Sequence, residues 1–270
     1  RNQTANIDKI VIVNNGSTDG TTEWLRTQTY AYVINQENSG GAGGFCTGVK
    51  YAFENGADWI WMMDDDVKPE SDCLFELLKY GNVSKCLHPT KRYIDGVNYI
   101  WGEYFEIEKN YKFYLPPDQY QNKDLFFINN GCFEGMLINS EIVAKIGFPD
   151  SRFFIAGDDT IYGYLANQFT NVCVVKNAKM IRVRSSKENN LKPMYLYYEL
   201  RNFHLFQEYA IKLSNANFPL SVKLRYYAKI IRSLQKSIFL REKLNYKIKL
   251  VRAIIMGFWH SKLKRINKSD

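Results

Sequence analysis

The sequence lacks the features of disulfide-stabilised, zinc-binding and membrane-spanning proteins. Its five cysteines are scattered and form no CxxC pair, so neither a disulfide framework nor a zinc site is indicated. No secretory leader is recognisable, and no apolar run reaches about 18 residues, so we expect no membrane-spanning segment. A reducing cytoplasm is the compartment that this pattern predicts.

Standard phosphate-binding and nucleic-acid-binding motifs are missing too. A glycine-rich stretch at 38–53 has neither the GK[ST] ending of a P-loop nor a clean GxGxxG. No nucleic-acid-binding motif accompanies the net charge of +8, which makes nucleic acid the weaker candidate partner. The chain has 270 residues, of which 46% are hydrophobic. This length and composition are enough for one α/β domain with an appendage or for two small domains.

The net charge is unevenly distributed along the chain. Residues 211–270 hold fifteen basic and two acidic residues, a net charge of +13, which leaves −5 for residues 1–210. Four basic residues recur at helical spacing on one predicted face: Arg225, Lys229, Arg232 and Lys236. Such a face suits an anionic cytoplasmic membrane leaflet. It suits equally the solvated side of a packed helical appendage or a dimer contact.

The stretch WIWMMDDDV combines an apolar run with three carboxylates. Trp59–Met63 predicts a buried central strand, and Asp64, Asp65 and Asp66 follow where that strand should leave the sheet. Adjacent carboxylates repel one another, and an oxygen-rich anionic site suits Mg²⁺ or Mn²⁺, which could hold a diphosphate. The alternative is a solvated acidic turn, since Asp is common in turns and Pro69 follows shortly.

Two polar segments follow predicted strands earlier in the chain. Strand Ile10–Val13 opens on NNGSTDGT, whose small polar residues can cap a helix, and strand Tyr32–Ile34 precedes NSGGAGGF. We expect Gly40–Gly44 to form a loop that points backbone amides at phosphate near a helix start. A flexible linker is the alternative. Ligands bind at the carboxyl edge of open α/β sheets, where these segments and the acidic turn would meet.

A second acidic pair lies further along the chain. We expect Phe133–Ile138 to return as a strand beside the acidic turn, and Asp158 and Asp159 to precede a helix at Thr160–Asn167. Acidic residues in the first turn of a helix are stabilised by its dipole, so plain capping is one interpretation. The other is catalytic, because a carboxylate fixed at a helix start can accept a proton from a hydroxyl group.

The motifs NNGSTDGT, NSGGAGGF and MMDDDV, in this order, resemble glycosyltransferase family 2 enzymes, particularly the bacterial galactofuranosyl and rhamnosyl transferases. The resemblance covers about Ile7 to Asn202. It implies a Rossmann-like GT-A fold, an α/β architecture with a mixed, mostly parallel sheet flanked by helices. We expect this domain at 1–190 and a basic helical appendage at 191–270. The chain begins after the family's usual first strand, so we expect part of the nucleotide pocket to be missing or different.

The resemblance also implies roles for individual residues. Asn14 would lie beside the nucleotide base, and Asp64 and Asp66 would form the metal-binding DXD pair. We expect Asp66 to be the main metal ligand and Asp64 to lie nearer the ribose or a metal-bound water. Asp159 would be the catalytic base, and Asp158 would orient the acceptor or the loop.

One departure from the family pattern concerns a metal-binding histidine. The matching region AKMIRVRSSKENN contains no His, and Arg182 or Arg184 could instead pair with the diphosphate. A Mg²⁺ ion completed by phosphates and water would remain feasible. The full set of expected nucleotide-sugar-binding residues is Asn14, Gly16, Ser17, Asp19, Gly40, Gly41, Gly43, Gly44, Asp64, Asp65, Arg182 and Arg184.

The resemblance predicts an inverting, metal-dependent hexosyltransferase of cell-surface polysaccharide synthesis. Galactofuranose from UDP-galactofuranose is the first choice of donor, and a glycan or polyprenyl-linked saccharide is the acceptor. One alternative is a rhamnosyltransferase that uses dTDP-rhamnose. The other is a non-catalytic sugar-nucleotide-binding module tethered through its basic tail. We expect a cytoplasmic protein, peripheral on the inner face of the membrane, and homo-oligomerisation stays open.

Overall fold

A computed structural model describes residues 2–99, 101, 104–119, 121–187, 192–239 and 243–264. The chain forms two compact units, each built from three segments. Unit 1 comprises Arg1–Phe105, Lys112–Ser151 and Asp158–Glu188, and unit 2 comprises Glu106–Tyr111, Arg152–Gly157 and Asn189–Asp270. Unit 2 therefore takes in two short segments that lie within the sequence range expected for the first domain.

The elements of the described residues are as follows. The strands are β1 Val11–Asn15, β2 Tyr32–Gln36, β3 Trp59–Trp61, β4 Val67–Pro69, β5 Cys86–Tyr93, β6 Asn98–Tyr99, β7 Tyr104–Glu106, β8 Tyr111–Phe113, β9 Leu125–Ile128, β10 Leu137–Asn139 and β11 Val172–Arg182. The helices of unit 1 are α1 Thr21–Arg26, α2 Gly40–Glu54, α3 Cys73–Leu78, α4 Ser140–Ile146 and α5 Asp158–Ala166. Those of unit 2 are α6 Pro193–Arg201, α7 Phe203–Ser214, α8 Leu220–Phe239 and α9 Leu244–Lys262.

The main sheet of unit 1 has the strand order β3-β10-β5-β11-β4, with β6 on β5 and β9 on β11. It is mixed and flanked by helices, which confirms the predicted fold class. Among the described strands of this sheet, however, only the β5–β11 pairing is parallel, and β1–β2 is parallel in a separate two-stranded sheet. The expected parallel majority is not observed, because short strands such as β4 and β10 return antiparallel against their neighbours.

Both faces of this sheet are buried, and alternate residues of each strand point into different clusters. Ile138 and Val174 pack with Ile60 on one face. Leu137 and Cys173 pack on the other. Strands covered on both sides need apolar residues at every position, which explains why the sequence shows continuous apolar runs rather than alternation.

Three local predictions differ from the structure. The strand expected at Trp59–Met63 ends at Trp61, and the strand expected from Phe133 begins only at Leu137, because Gly135 turns the chain with φ 96°. The glycine-rich segment is not a loop, since α2 already begins at Gly40. A Cβ atom on Gly43 would lie 2.1 Å from Ser39 Oγ, so glycine lets the preceding turn fold back onto the helix.

Unit 2 is a helical cluster with a core of Leu196, Leu200, Tyr226, Leu250 and Ile254. Its α9 comes close to α6 at a glycine, since a Cβ atom on Gly257 would lie 2.6 Å from Tyr197 O. No helix in the described part of the chain is long and apolar enough to cross a membrane.

A strained segment of unit 2 is held by one amide side chain. Phe154 and Ala156 both have left-handed φ angles, 62° and 72°. Asn202 Nδ2 donates to the carbonyls of Phe153, Ile155 and Ala156 at 3.0, 2.9 and 2.9 Å. Strained backbone persists only where surrounding contacts fix it, and Asn202 supplies those contacts here.

The contact between Gly163 of α5 and Gly131 gives a test of the fold. A Cβ atom on Gly163 would lie 2.0 Å from Gly131 N, so Gly163→Ala should lower the free energy of unfolding by about 3 kcal/mol, as overpacking does. Gly41→Ala is the matched control, because no atom lies within 4 Å of its Cβ position. Denaturant unfolding followed by circular dichroism measures both. Equal stabilities of the two variants would contradict the close approach.

Candidate active site

The turn that follows β3 is fixed from both sides by backbone hydrogen bonds. Met62 N donates to Met136 O at 2.8 Å, and Gly135 N donates to Met62 O at 2.9 Å. On the other side, Val183 N donates to Asp66 O at 2.8 Å. The acidic turn is therefore held between the segment before β10 and the end of β11.

This arrangement brings a third carboxylate, Glu134, to the DXD pair. One oxygen each from Asp64, Asp66 and Glu134 lies within 4.8 Å of the others. Asp65 is exposed and lies outside this group. Sequence reasoning missed Glu134, although it correctly expected the chain around Phe133–Ile138 to return beside the acidic turn. An acidic residue in that segment was the available signal.

Burial and mutual repulsion change the protonation of this group. The pKa of Asp64 rises from 3.8 to about 7, first because of burial and then because of the charges of Glu134 and Asp66. Lys91 acts in the opposite direction. The cluster therefore holds more negative charge than its surroundings easily support, as expected where a cation is to be bound.

Three basic side chains approach the carboxylates. Arg182 Nη2 lies 2.7 Å from Glu134 Oε1, and Lys91 Nζ lies 3.9 Å from Glu134 Oε2. Arg184 lies 3.8 Å from an Asp66 oxygen and 3.7 Å from a Glu134 oxygen. These cations compensate part of the repulsion, so the carboxylates can stay close together.

The two arginines expected to bind phosphate have different environments. Arg182 is buried, with its guanidinium 3.8 Å from the Tyr99 ring centroid and 3.3 Å from Tyr93 Oη. Its guanidinium therefore contacts Glu134 and the two tyrosines. The side chain of Arg184 is 28% exposed and is the better placed of the two to reach a ligand.

Behind Glu134 lies a buried polar cluster. Lys91 Nζ donates to Cys132 Sγ at 2.8 Å, and Cys132 N donates to His88 Nε2 at 3.3 Å. Burial and the charge of Lys91 lower the pKa of His88 to about 3, so this histidine is neutral. His88 thus packs inside unit 1 and supplies no exposed metal ligand.

The second acidic pair begins α5. Asp159 Oδ1 accepts from Thr160 N at 2.7 Å and from Thr160 Oγ1 at 3.2 Å. Lys112 Nζ donates to the same Thr160 Oγ1 at 2.5 Å. Asp158 is buried, and burial together with the charge of Asp159 raises its pKa to about 8. The neutral form of Asp158 is therefore favoured at pH 7.

The structure brings the two acidic groups into one electrostatic environment. The charge of Asp159 contributes to the raised pKa of Asp64, and the charge of Asp64 contributes to that of Asp158. Some 95 residues separate the two groups in the chain, and interactions between charges of this kind require proximity. The two acidic motifs therefore lie near each other within unit 1.

The N-terminal polar segments are joined to each other. Asn15 Nδ2 donates to Gly40 O at 2.8 Å, and Ser39 N donates to Asn15 Oδ1 at 3.0 Å, which ties the end of β1 to the start of α2. Asn14 is buried and donates to Thr22 Oγ1 and Asn35 Oδ1, both at 2.8 Å. These two segments therefore form one polar surface at the ends of β1 and β2.

The remaining expected nucleotide-binding residues lie on this polar surface or beside it. Gly16 has φ 73°, and a Cβ atom there would lie 2.8 Å from Asn38 N, so glycine allows the close approach. Ser17 and Asp19 are exposed, and Asp19 Oδ1 accepts from Thr21 N at 3.2 Å just before α1. The glycines of the second segment occupy the first turns of α2: Gly40, Gly41, Gly43 and Gly44.

The donor set fits a hard divalent cation. Asp64, Asp66 and Glu134 offer only oxygen ligands, which Mg²⁺ and Mn²⁺ prefer. Glu134 Oε2 is buried without a hydrogen-bond partner in the described part of the chain. Lys91 Nζ lies 3.9 Å away, beyond hydrogen-bond distance, and a buried acceptor without a hydrogen bond is rare in a folded protein and is free to bind a cation. The residues present therefore fit a divalent cation.

Comparison with known proteins identifies the family and the fold. The model of glycosyl transferase family 2 matches residues 1–147. The galactofuranosyltransferase GlfT1 of Mycolicibacterium smegmatis is 27% identical over 160 residues, which are 56% of this chain and 53% of that protein. The chain thus spans about half the length of this curated relative.

Two solved structures are similar in fold. GalNAc-T7 with UDP, GalNAc and Mn²⁺ has a TM-score of 0.53 at 12% identity, covering 90% of this chain and 47% of that one. Staphylococcus aureus TarS 1–349 in complex with UDP-GlcNAc has a TM-score of 0.54 at 13% identity, covering 99% and 82%. Both are GT-A glycosyltransferases, which confirms the predicted GT-A fold.

The match of the family model covers one continuous range of the chain, residues 1–147. It begins at the first residue and runs through the polar segments, the acidic turn and Glu134. Because it covers more than half of the 270 residues, the chain belongs to glycosyl transferase family 2.

Proposed function

We propose that this protein is an inverting glycosyltransferase that moves a sugar from a nucleoside diphosphate sugar to a hydroxyl group of a glycan or lipid-linked saccharide. The observation that carries the proposal is that oxygens of Asp64, Asp66 and Glu134 lie within 4.8 Å of one another, while the charge of Asp159 raises the pKa of Asp64. One acidic group can then serve the diphosphate while the other serves the acceptor. A transferase of this kind needs both within one site.

Asp159 is the proposed catalytic base. Within the described residues, Thr160 fixes the carboxylate through two hydrogen bonds to Oδ1, and Oδ2 would accept the proton of the acceptor hydroxyl. The acceptor oxygen then attacks the anomeric carbon from the face opposite the diphosphate. The bond from that carbon to the diphosphate oxygen breaks, the electron pair leaves with the diphosphate, and the configuration inverts.

Charge on the leaving diphosphate has to be stabilised on the other side of the sugar. Asp64, Asp66 and Glu134 would hold Mn²⁺ or Mg²⁺, which supplies positive charge to the diphosphate when bound. Arg184 is close enough to the same carboxylates to add donors to a phosphate oxygen. Arg182 would act indirectly by holding Glu134 in place.

The polar surface at β1 and α2 is the proposed nucleotide-binding region. Asn14 would lie beside the base, and the amides of the first turn of α2 carry the positive end of the helix dipole, which favours anions. Ser17, Asp19 and Asp65 are exposed and can contact the sugar or ribose. We propose the division of the chain at about residue 190 as the boundary between this catalytic region and the helical C-terminal region.

Galactofuranose from UDP-galactofuranose is the proposed donor, because the relative from Mycolicibacterium smegmatis is a galactofuranosyltransferase. dTDP-rhamnose is the alternative donor, from the resemblance of the motifs. A non-catalytic sugar-nucleotide-binding module is the second candidate function, since three basic side chains already approach the carboxylates. Cell-surface polysaccharide synthesis on the cytoplasmic side of a membrane is the proposed setting.

A turnover assay with Asp159→Asn tests the catalytic proposal. Release of UDP from UDP-galactofuranose, with Mn²⁺ and a galactan primer, should fall by at least about a hundredfold, because the acceptor proton has no base to receive it. Donor binding and folding should be unchanged. Asp124→Asn, an exposed carboxylate, is the control and should keep full activity.

The same assay separates the alternatives. Turnover with dTDP-rhamnose and not with UDP-galactofuranose would replace the proposed donor. Donor binding without release of nucleotide from either would identify a binding module. Normal turnover in Asp159→Asn would remove that residue from the base role.

Manganese binding without nucleotide tests the carboxylate group. Asp66→Asn should weaken Mn²⁺ binding by about tenfold or more, because it removes one anionic oxygen ligand from the group within 4.8 Å. Asp65→Asn should leave the affinity nearly unchanged, since Asp65 is exposed and lies outside the group. Isothermal titration calorimetry measures both. Equal losses in the two variants would place the ion elsewhere on the turn.

The raised pKa of Asp158 predicts how stability changes with pH. Its folded pKa of about 8 exceeds the ordinary value of 3.8, so the folded state keeps a proton that the unfolded chain releases. Stability should therefore fall as pH rises from about 4 to 8. Asp158→Asn removes this penalty and should be more stable than the wild type by a few kcal/mol, roughly, at pH 8. Denaturant unfolding at pH 5 and 8 measures the difference, which should shrink at the lower pH.

A further inference from the structure

Helix α9 carries two apolar faces. Leu250, Ile254 and Gly257 are buried on the inner face, and Gly257 lies against the backbone of Tyr197 in α6. A helix needs only one apolar stripe to pack on the body of a protein. The inner face alone therefore accounts for the packing of α9 within unit 2.

The second stripe points to solvent. We call it the outer face of α9, and its members are Leu244, Ile248, Val251, Ile255 and Trp259. They recur at i, i+4, i+7, i+11 and i+15, which places them on one side of the helix. Leu244, Ile248, Ile255 and Trp259 are 71%, 55%, 46% and 54% exposed. A continuous exposed apolar stripe of this length marks an interaction surface rather than scattered surface residues.

Basic residues border the outer face. Lys247 and Arg252 line the same surface groove as Leu244, Ile248, Val251 and Ile255. Together, α8 and α9 contain nine lysines and arginines and no acidic residue. Some basic residues of α8 are used within unit 2, since Lys229 pairs with Glu199 at 2.6 Å and Arg225 donates to Lys109 O. The basic residues that border the outer face give this side of α9 a charge that suits an anionic partner.

We propose that the outer face of α9 docks on the surface of an anionic lipid bilayer, with the helix lying in the plane of the interface. Apolar side chains would enter the acyl boundary, and Trp259 would lie at the headgroup level. Lys247, Lys249 and Arg252 would meet the anionic headgroups. This inference does not depend on the proposed catalytic activity.

The positive charge around the outer face of α9 and its apolar stripe together favour a bilayer over a second copy of the chain or nucleic acid. A second copy of the chain would bring two surfaces of the same strong positive charge together, which opposes association. Nucleic acid would satisfy the charge, but it offers nothing that would cover a stripe of leucine, isoleucine and valine. A bilayer with anionic headgroups satisfies both the charge and the apolar stripe.

Vesicle co-sedimentation of the full chain tests the proposal. The protein should sediment with vesicles of equal parts phosphatidylcholine and phosphatidylglycerol, far less with pure phosphatidylcholine vesicles, and less in high salt. The double variant Ile248→Ser with Ile255→Ser should weaken binding by about tenfold or more. Val83→Ser is the matched control, because Val83 is an exposed apolar residue of unit 1, and it should bind as the wild type does.

Trp259 provides a second readout. Its fluorescence should shift to shorter wavelength on addition of the anionic vesicles, and Trp259→Phe should abolish most of that shift while the protein still sediments.

Three results would overturn the proposal. The first is the absence of vesicle binding, with or without binding to an oligonucleotide. The second is vesicle binding that the double variant leaves unchanged, since this would mean adsorption by charge alone. The third is a wild-type dimer that the double variant converts to a monomer, since a second copy would then cover the outer face.

Discussion

Three carboxylates can share so small a space only when positive charge lies among them. Asp64, Asp66 and Glu134 meet this condition through Arg182 and Arg184, which leave from the end of β11, and through Lys91 of β5. The cations of the scaffold offset part of the repulsion, and the raised pKa of Asp64 shows that part of it persists. A divalent ion bound to a diphosphate would remove the rest, and the packing of the sheet would then contribute to the affinity for that ligand.

The sequence identified the residues that carry charge but not the partners of those charges. Asp64 and Asp66 follow an unmistakable apolar run, so their position at a strand end was predictable. Glu134 was missed because Gly135 converts an expected strand into a turn, and this turn brings the side chain to the site. The sequence shows that Arg182 can donate hydrogen bonds. Only the fold shows that Glu134 and two tyrosines surround it.

In the C-terminal helices, the periodicity of the sequence predicted one surface and missed another. The basic repeat on α8 was visible because its charges fall on one side of the helix. The outer face of α9 was not, because two apolar stripes on different sides of one helix leave little overall asymmetry. In the same way, the glycines at the start of α2 suggested a loop, whereas Gly43 lets a helix begin directly against Ser39.

Both acidic groups reduce the stability of unit 1 at neutral pH. Asp64 and Asp158 are held where burial disfavours their charged forms, and the charge of Asp159 raises the pKa of both. Natural proteins accept such local costs at sites that bind or react, and compensate for them in the core. Here the compensation is the sheet with both faces covered, whose central strands β5 and β11 also carry Lys91 and Arg182.

The contact between Gly131 and Gly163 affects which sequence changes the fold can tolerate. Here backbone meets backbone, so the separation between α5 and the chain that leads to Glu134 is set by main-chain atoms and not by the size of any side chain. Core residues elsewhere can then be exchanged over generations without moving the two acidic groups apart. Sequence drift to the 27% identity seen between this chain and its relative from Mycolicibacterium smegmatis is compatible with an unchanged separation at this contact.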